Sequence, residues 1–152
     1  MFGLWNSLES DVSRGTCCAG WVTPIIFGVH LYSESILVVD DEPTNLKLLT
    51  VLLSRHGYQV HTASTAEEAL KIAAKIRPRL VLADIQLPGI DGLEMTRRLK
   101  ASPETKDTVV VAVTALAMKG DEQKALEAGC DDYLTKPIDV RSLPKIIRKY
   151  FR

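Results

Sequence analysis

The stretch LADIQLPGIDG, Leu82 to Gly92, takes an acid, Asp84, out of an apolar run and follows it at once with a proline–glycine turn. Leu80 to Ala83 reads as a short strand covered on both faces, because apolar residues follow one another without alternation. Asp91-Gly92-Leu93-Glu94 then has the spacing of a helix cap and opens a helix to about Lys100. A buried strand, a tight loop and a helix form the basic unit of a parallel α/β sheet.

The flanking sequence repeats that unit. Upstream, Ile36-Leu37-Val38-Val39 is another buried strand, ending in Asp40-Asp41-Glu42. A helix follows, with Pro43 suited to its first turn, Gly57 just past its end, and Leu46, Leu49, Leu52 and Leu53 on one face. Tyr58 to His61 alternates and suits an edge strand. Thr65-Ala66-Glu67-Glu68 is a capping box for a helix that runs to about Ile76 and is stopped by Pro78. Downstream, Val109 to Val113 is a strand ending at Thr114, and a helix from about Asp121 to Ala128 is closed by Gly129. Tyr133-Leu134 is the last short strand, followed by Lys136-Pro137. Pro144 leaves two starts open for the final helix, Asp139 and Ser142. Five strands alternating with five helices predict a doubly wound parallel sheet with right-handed crossovers and helices on both faces.

In such a sheet, ligands sit beyond the carboxyl ends of the strands. Asp40, Asp41, Asp84, Thr114 and Lys136 all stand there. Each has an ordinary explanation alone: aspartates cap helices, an acid starts a proline–glycine turn, a threonine fits a strand and a lysine fits a surface. Their joint position is what those explanations miss. At ~4 Å and an effective dielectric of ~20, each pair of like charges costs about 4 kcal/mol, so three carboxylates need compensation. Lys136 supplies one positive charge, and an all-oxygen donor set selects a hard divalent ion for the remainder, Mg²⁺ with Mn²⁺ as the alternative. Metal, ammonium and the Thr114 hydroxyl together suit a phosphoryl group, with Asp84 as the nucleophile that forms an aspartyl phosphate.

The segments ILVVDDEPTN, LADIQLPGIDG, VAVTALAMKGD and DDYLTKPID resemble, in order and spacing, the four signature segments of the receiver domain of two-component response regulators. The resemblance covers about residues 35–152 and implies the flavodoxin-like strand order 2-1-3-4-5. It implies Asp84 as phospho-acceptor and Asp40 and Asp41 as Mg²⁺ ligands, one directly and one through water, with the backbone carbonyl of Gln86 as a further ligand. Lys136 would pair with the phosphoryl oxygens, its bond to Pro137 being cis in most such domains. Thr114 and Tyr133 would move in step as the switch, and the face of the fourth helix, fifth strand and fifth helix would carry the change. Leu87 departs from the family pattern, which more often has methionine there.

The implied partners are a histidine kinase or a histidine phosphotransfer protein as donor and a downstream protein target. Phosphorylation-dependent dimerisation is compatible with the family. With about 16 residues after Lys136, no output domain is expected, although a receiver taken from a hybrid kinase would carry the same motifs. The chain would catalyse only its own phosphorylation and dephosphorylation. An aspartate-nucleophile phosphatase would need a second acid two residues after the nucleophile, where Gln86 stands. No glycine-rich loop follows the first strand, which excludes dinucleotide binding of the Rossmann type.

The bulk composition agrees with a switch module. The 152 residues carry 46% apolar and 25% charged residues and a net charge of +0, so no nucleic-acid footprint is expected. Cys17, Cys18 and Cys130 make no disulfide framework or metal spacing, which fits a reducing compartment, the cytoplasm. His30, His56 and His61 also lack ligand spacing. Residues 1–34 hold only Glu9, Asp11, Arg14 and Glu34 as charges around an apolar run, Cys17 to Tyr32, that is short of the ~20 residues needed to span a bilayer. They read as a poorly ordered extension of unknown role, with a membrane or partner anchor as the lesser reading.

Gln86 and Leu116 occupy the two positions that in this family tune access of the hydrolytic water. Apolar Leu116 predicts a long-lived phosphoryl group. A Leu116→Glu variant should lose phosphate faster than wild type when the decay of the phosphoprotein is followed, and equal decay would refute the assignment.

Overall fold

The computed structural model describes residues 34–115 and 120–151. The expected extension, apart from Glu34, lies outside the described residues, as do Leu116 and its three successors. Ten elements alternate: β1 (Ser35–Val39), α1 (Pro43–Arg55), β2 (Gln59–Ala63), α2 (Ala66–Ile76), β3 (Leu80–Asp84), α3 (Gly92–Ala101), β4 (Val109–Thr114), α4 (Asp121–Glu127), β5 (Asp132–Thr135) and α5 (Leu143–Tyr150). All strand pairs are parallel, in the order β2-β1-β3-β4-β5.

The continuous apolar runs have the two-sided burial their composition predicts. Ile36 and Val38 of β1 pack with Leu49 and Leu53 of α1 and Leu143 and Ile147 of α5. Leu37 and Val39, pointing the other way, pack with Ala66, Ala69 and Ala73 of α2, Met95 and Leu99 of α3 and Ala125 of α4. Consecutive side chains therefore enter opposite cores, and no position on the central strands is free to be polar until the strand ends. The alanines of α2 let that helix approach the sheet closely. Along α1, Leu46 and Leu52 are partly packed, whereas Leu48 and Val51 are half exposed.

Local chemistry sets the helix ends. Thr65 caps α2 by accepting from the Glu68 amide, but Glu68 returns its carboxylate to Ser64, at 2.9 Å from the amide nitrogen, instead of to Thr65. Asp91 Oδ1 accepts from the Glu94 amide at 2.7 Å, and Glu94 turns outward to Arg97 and Arg98. Of the two starts open for α5, the later one holds. Pro144 sits in the first turn, where a missing N–H costs nothing, and Asp139 to Ser142 form a turn ahead of it.

At the foot of the sheet, opposite the acids, Arg79 pairs with Glu34 at 3.4 Å and lies over the ring of Phe151, which packs against Tyr58. On the neighbouring edge, the Tyr150 hydroxyl donates to Asp132 Oδ2 at 2.8 Å, tying α5 to the start of β5. Burial first, then the hydrogen bond to and charge of Asp132, push the Tyr150 phenol up to about 12. The fold thus favours the neutral phenol. Its contribution is complete below the unfolded-state value of about 10 and is lost as pH rises from there toward the folded-state value. Tyr150→Phe should cost about 1 kcal/mol at pH 8 by denaturant unfolding. It should also flatten the fall in stability above pH ~10; an unchanged alkaline slope would show that the phenol is not coupled to folding.

Candidate functional site

Register brings the site together. Val39 of β1 lies beside Ala83 of β3, so the next residues, Asp40 and Asp84, leave adjacent strands side by side. Neighbouring strands are roughly 4.8 Å apart, which forces the two carboxylates into one space. Asp84 in turn lies beside Val113 of β4, placing Thr114 one step further along, and Thr114 pairs with Thr135 of β5, directly before Lys136. Asp40, Asp84 and Thr114 are 2%, 4% and 2% exposed, so these are buried polar groups that must find partners.

Lys136 is the chief partner. Its ammonium donates to Asp40 Oδ2 at 2.8 Å and to Asp84 Oδ2 at 2.6 Å, spanning the ends of β1 and β3 from beyond β5. Burial alone would lower its pKa, but the hydrogen bonds it donates to Asp40 and Asp84, together with their charges, outweigh that, and the net shift is upward. The lysine therefore stays charged across the neutral range. The bond from Lys136 to Pro137 is cis, as the resemblance implies.

Backbone amides hold the remaining oxygens in the same way on both strands. Glu42 N–H donates to Asp40 Oδ1 at 2.9 Å and Gln86 N–H donates to Asp84 Oδ1 at 2.9 Å. Each acid thus closes a turn over the amide two residues on, a geometry that short acidic side chains make readily. Asn45, in the first turn of α1, adds its amide to both oxygens of Asp40 at 3.2 Å each.

Asp41 is exposed and completes a group in which one oxygen each from Asp40, Asp41 and Asp84 lies within 4.8 Å of the others. Among the described residues no other cluster of potential metal ligands has this form, and His56 and His61 belong to none. One ammonium against three carboxylates leaves a local excess of negative charge. The donors are all oxygen, on a partly open rim, which fits a hard divalent cation that keeps some of its waters.

Thr114 and Tyr133 are coupled through a hydrogen bond between their side chains. Burial raises the Tyr133 phenol, the nearby acids Asp121 and Glu122 raise it further, and the bond to Thr114 opposes them. The structure therefore brings together Asp40, Asp41, Asp84 and Lys136, with Thr114 beside them and Tyr133 attached to Thr114. Gln86 is exposed at the rim.

Two contributors escaped the sequence reading. Asn45 carried a faint signal, since a polar residue stands in the turn of α1 that should face inward with Leu46 and Leu49. Gly92 carried none beyond its place after the Asp91 cap. A Cβ there would run into the carbonyl oxygen of Asp84 and stand 2.9 Å from the Asp84 carbonyl carbon and the Ile85 Cα. These are backbone atoms and cannot step aside.

An open parallel α/β sheet whose strand ends gather three acids, a lysine and a threonine is the arrangement expected of a receiver domain of the two-component type. The model of the response regulator receiver domain matches residues 36–148, and the chain belongs to that family. It is 42% identical over 117 residues to the polar-differentiation response regulator DivK of Brucella anthropi, which covers 77% of this chain and 95% of that protein. Among solved structures, the receiver domain of the sensor histidine kinase PA1611 of Pseudomonas aeruginosa, with a magnesium ion coordinated in its active-site cleft, matches at TM-score 0.72 and 32% identity over 77% of this chain and 96% of its own. The chemotaxis protein CheY4 of Vibrio cholerae matches at TM-score 0.73 and 26% identity over 76% of this chain and 97% of its own.

The Gly92 contact has a direct consequence. Gly92→Ala should destabilise the fold by about 3 kcal/mol, the upper part of the range for overpacked sites, and lower the melting temperature by roughly 10 °C. A thermal melt within about 2 °C of wild type would mean that α3 can withdraw from Asp84 freely.

Proposed function

We propose that this chain is a phospho-accepting receiver in which Asp84 takes a phosphoryl group from a histidine kinase or a phosphotransfer protein. The observation that carries the reading is the Lys136 ammonium held between the buried carboxylates of Asp40 and Asp84. That arrangement sets a nucleophilic carboxylate at a strand end, with a cation already placed for the oxygens that would arrive on it.

In the transfer, an oxygen of Asp84 bonds to phosphorus while the phosphorus–nitrogen bond of a phosphohistidine breaks, and its electron pair leaves with the imidazole. Lys136 turns from the carboxylates to the transferred oxygens, and the Thr114 hydroxyl donates to another. Asp40, Asp41 and Asp84, with the backbone carbonyl of Gln86, would hold Mg²⁺. When bound, the ion offsets the charge of the acids and of the phosphoryl oxygens. Hydrolysis of the aspartyl phosphate later returns the carboxylate, so the chain acts on itself and not on an external substrate.

A groove of about 430 Å³ opens next to Lys136, lined by Asn45, Leu48 and Leu49 of α1 and by Pro137, Ile138 and Val140 after β5. Leu48 and Val140 are 50% and 42% exposed at it, an apolar rim suited to a helix of the donor that delivers its phosphohistidine to the acids. The hydrogen bond between Tyr133 and Thr114 supports an outlet through α4, β5 and α5. Movement of Thr114 toward a phosphoryl group changes what holds Tyr133, and added charge biases a pre-existing equilibrium of that face. No described helix is long and apolar enough to cross a membrane. The domain is taken to begin at about Ser35.

Acetyl phosphate with Mg²⁺ should add one phosphoryl group to the wild-type protein, read by intact mass, and none to Asp84→Asn. A wild type that stays unmodified, or an Asp84→Asn variant that is modified equally, would overturn the proposal.

A further inference from the structure

The environment of Asp40 contains a group whose hydrogen bonds to that acid have no part in the phosphotransfer reading. Asp40 is 2% exposed and accepts four hydrogen bonds. Two come from Asn45, whose Nδ2 lies 3.2 Å from each carboxylate oxygen. A third comes from the Glu42 amide on Oδ1 and the fourth from Lys136 on Oδ2. These donors differ in permanence. The Glu42 amide is backbone, and Asn45 is anchored in the first turn of α1, but Lys136 is shared with Asp84 and is needed elsewhere once Asp84 carries a phosphoryl group.

When the ammonium turns away, Asp40 Oδ2 loses its shortest contact, and the Glu42 amide alone touches only the other oxygen. One hydrogen bond to one oxygen leaves the carboxylate free to rotate about its Cβ–Cγ bond. A second donor that straddles both oxygens fixes the plane of the group. From this geometry we infer that Asn45 is a positioning residue for the acidic pocket: it holds the Asp40 carboxylate in a metal-ready orientation both while Lys136 is shared with Asp84 and after Lys136 has left. The residue type matters. An amide donates without bringing a positive charge, so it fixes the acid while preserving the negative excess that draws a divalent cation. A lysine or arginine in its place would orient Asp40 and repel the ion at once. This inference rests on the pocket being the Mg²⁺ site of the proposed phosphotransfer.

Outer donors to metal ligands typically contribute ten-fold or more to metal affinity. Titration of the full chain with Mg²⁺ alone, by calorimetry, should therefore show Asn45→Ala binding about 10-fold more weakly than wild type, with Asn45→Leu, which keeps the bulk, behaving alike. Metal-free melting temperatures should stay close to wild type, because Asn45 is half-buried and its loss opens no core cavity. In phosphorylation by acetyl phosphate, the Mg²⁺ concentration for half-maximal rate should rise by the same factor while the maximal rate at saturating Mg²⁺ is kept. Variants that bind Mg²⁺ as tightly as a binding-competent wild type, or that lose maximal rate with half-saturation unchanged, overturn the role of Asn45 and leave the site reading standing. A wild type that binds no Mg²⁺ overturns both.

Discussion

The bridge from Lys136 to Asp40 and Asp84 is the interaction on which the mouth of this sheet depends. Two carboxylates at adjacent strand ends, both almost fully buried, would repel each other by several kcal/mol without it. One ammonium cannot neutralise them and the nearby Asp41 as well. The site is therefore stable enough to fold and still short of positive charge. That imbalance is the feature on which the proposed cation binding and attack by Asp84 both rest.

Everything that places the bridge is ordinary sheet geometry. A parallel register fixes Asp40 beside Asp84, carries Thr114 one step past it, and sends Lys136 back from the far side of β4. Two separate apolar cores, one on each face, hold that register, because a slip of one residue would turn every strand inside out. The amides of Glu42 and Gln86 then take one oxygen from each acid, so the free orientations of both side chains are already few.

Much of this was legible in the chain. Continuous apolar runs such as Val109 to Val113 announced central strands, and the acids at their ends marked the mouth, because burial leaves a polar residue no other reason to stand there. The family resemblance supplied the roles that geometry alone left open. The less legible features depend on distance in space more than on pattern in sequence. Glu68 reaches Ser64 instead of Thr65, a choice made by side-chain length within one turn. Asn45 touches Asp40 across five residues because the strand turns sharply into α1.

Gly92 gives the pocket an asymmetry. The main chain of α3 meets that of β3 with no slack, so the wall behind Asp84 is effectively a rigid anvil. At the ends of β4 and β5 stand two side chains coupled through their hydroxyls, Thr114 and Tyr133. A bulky anion landing on Asp84 cannot push the anvil back. Under the proposed phosphotransfer, accommodation would then fall to the Thr114 side, and the direction of the response would be built in before a partner arrives.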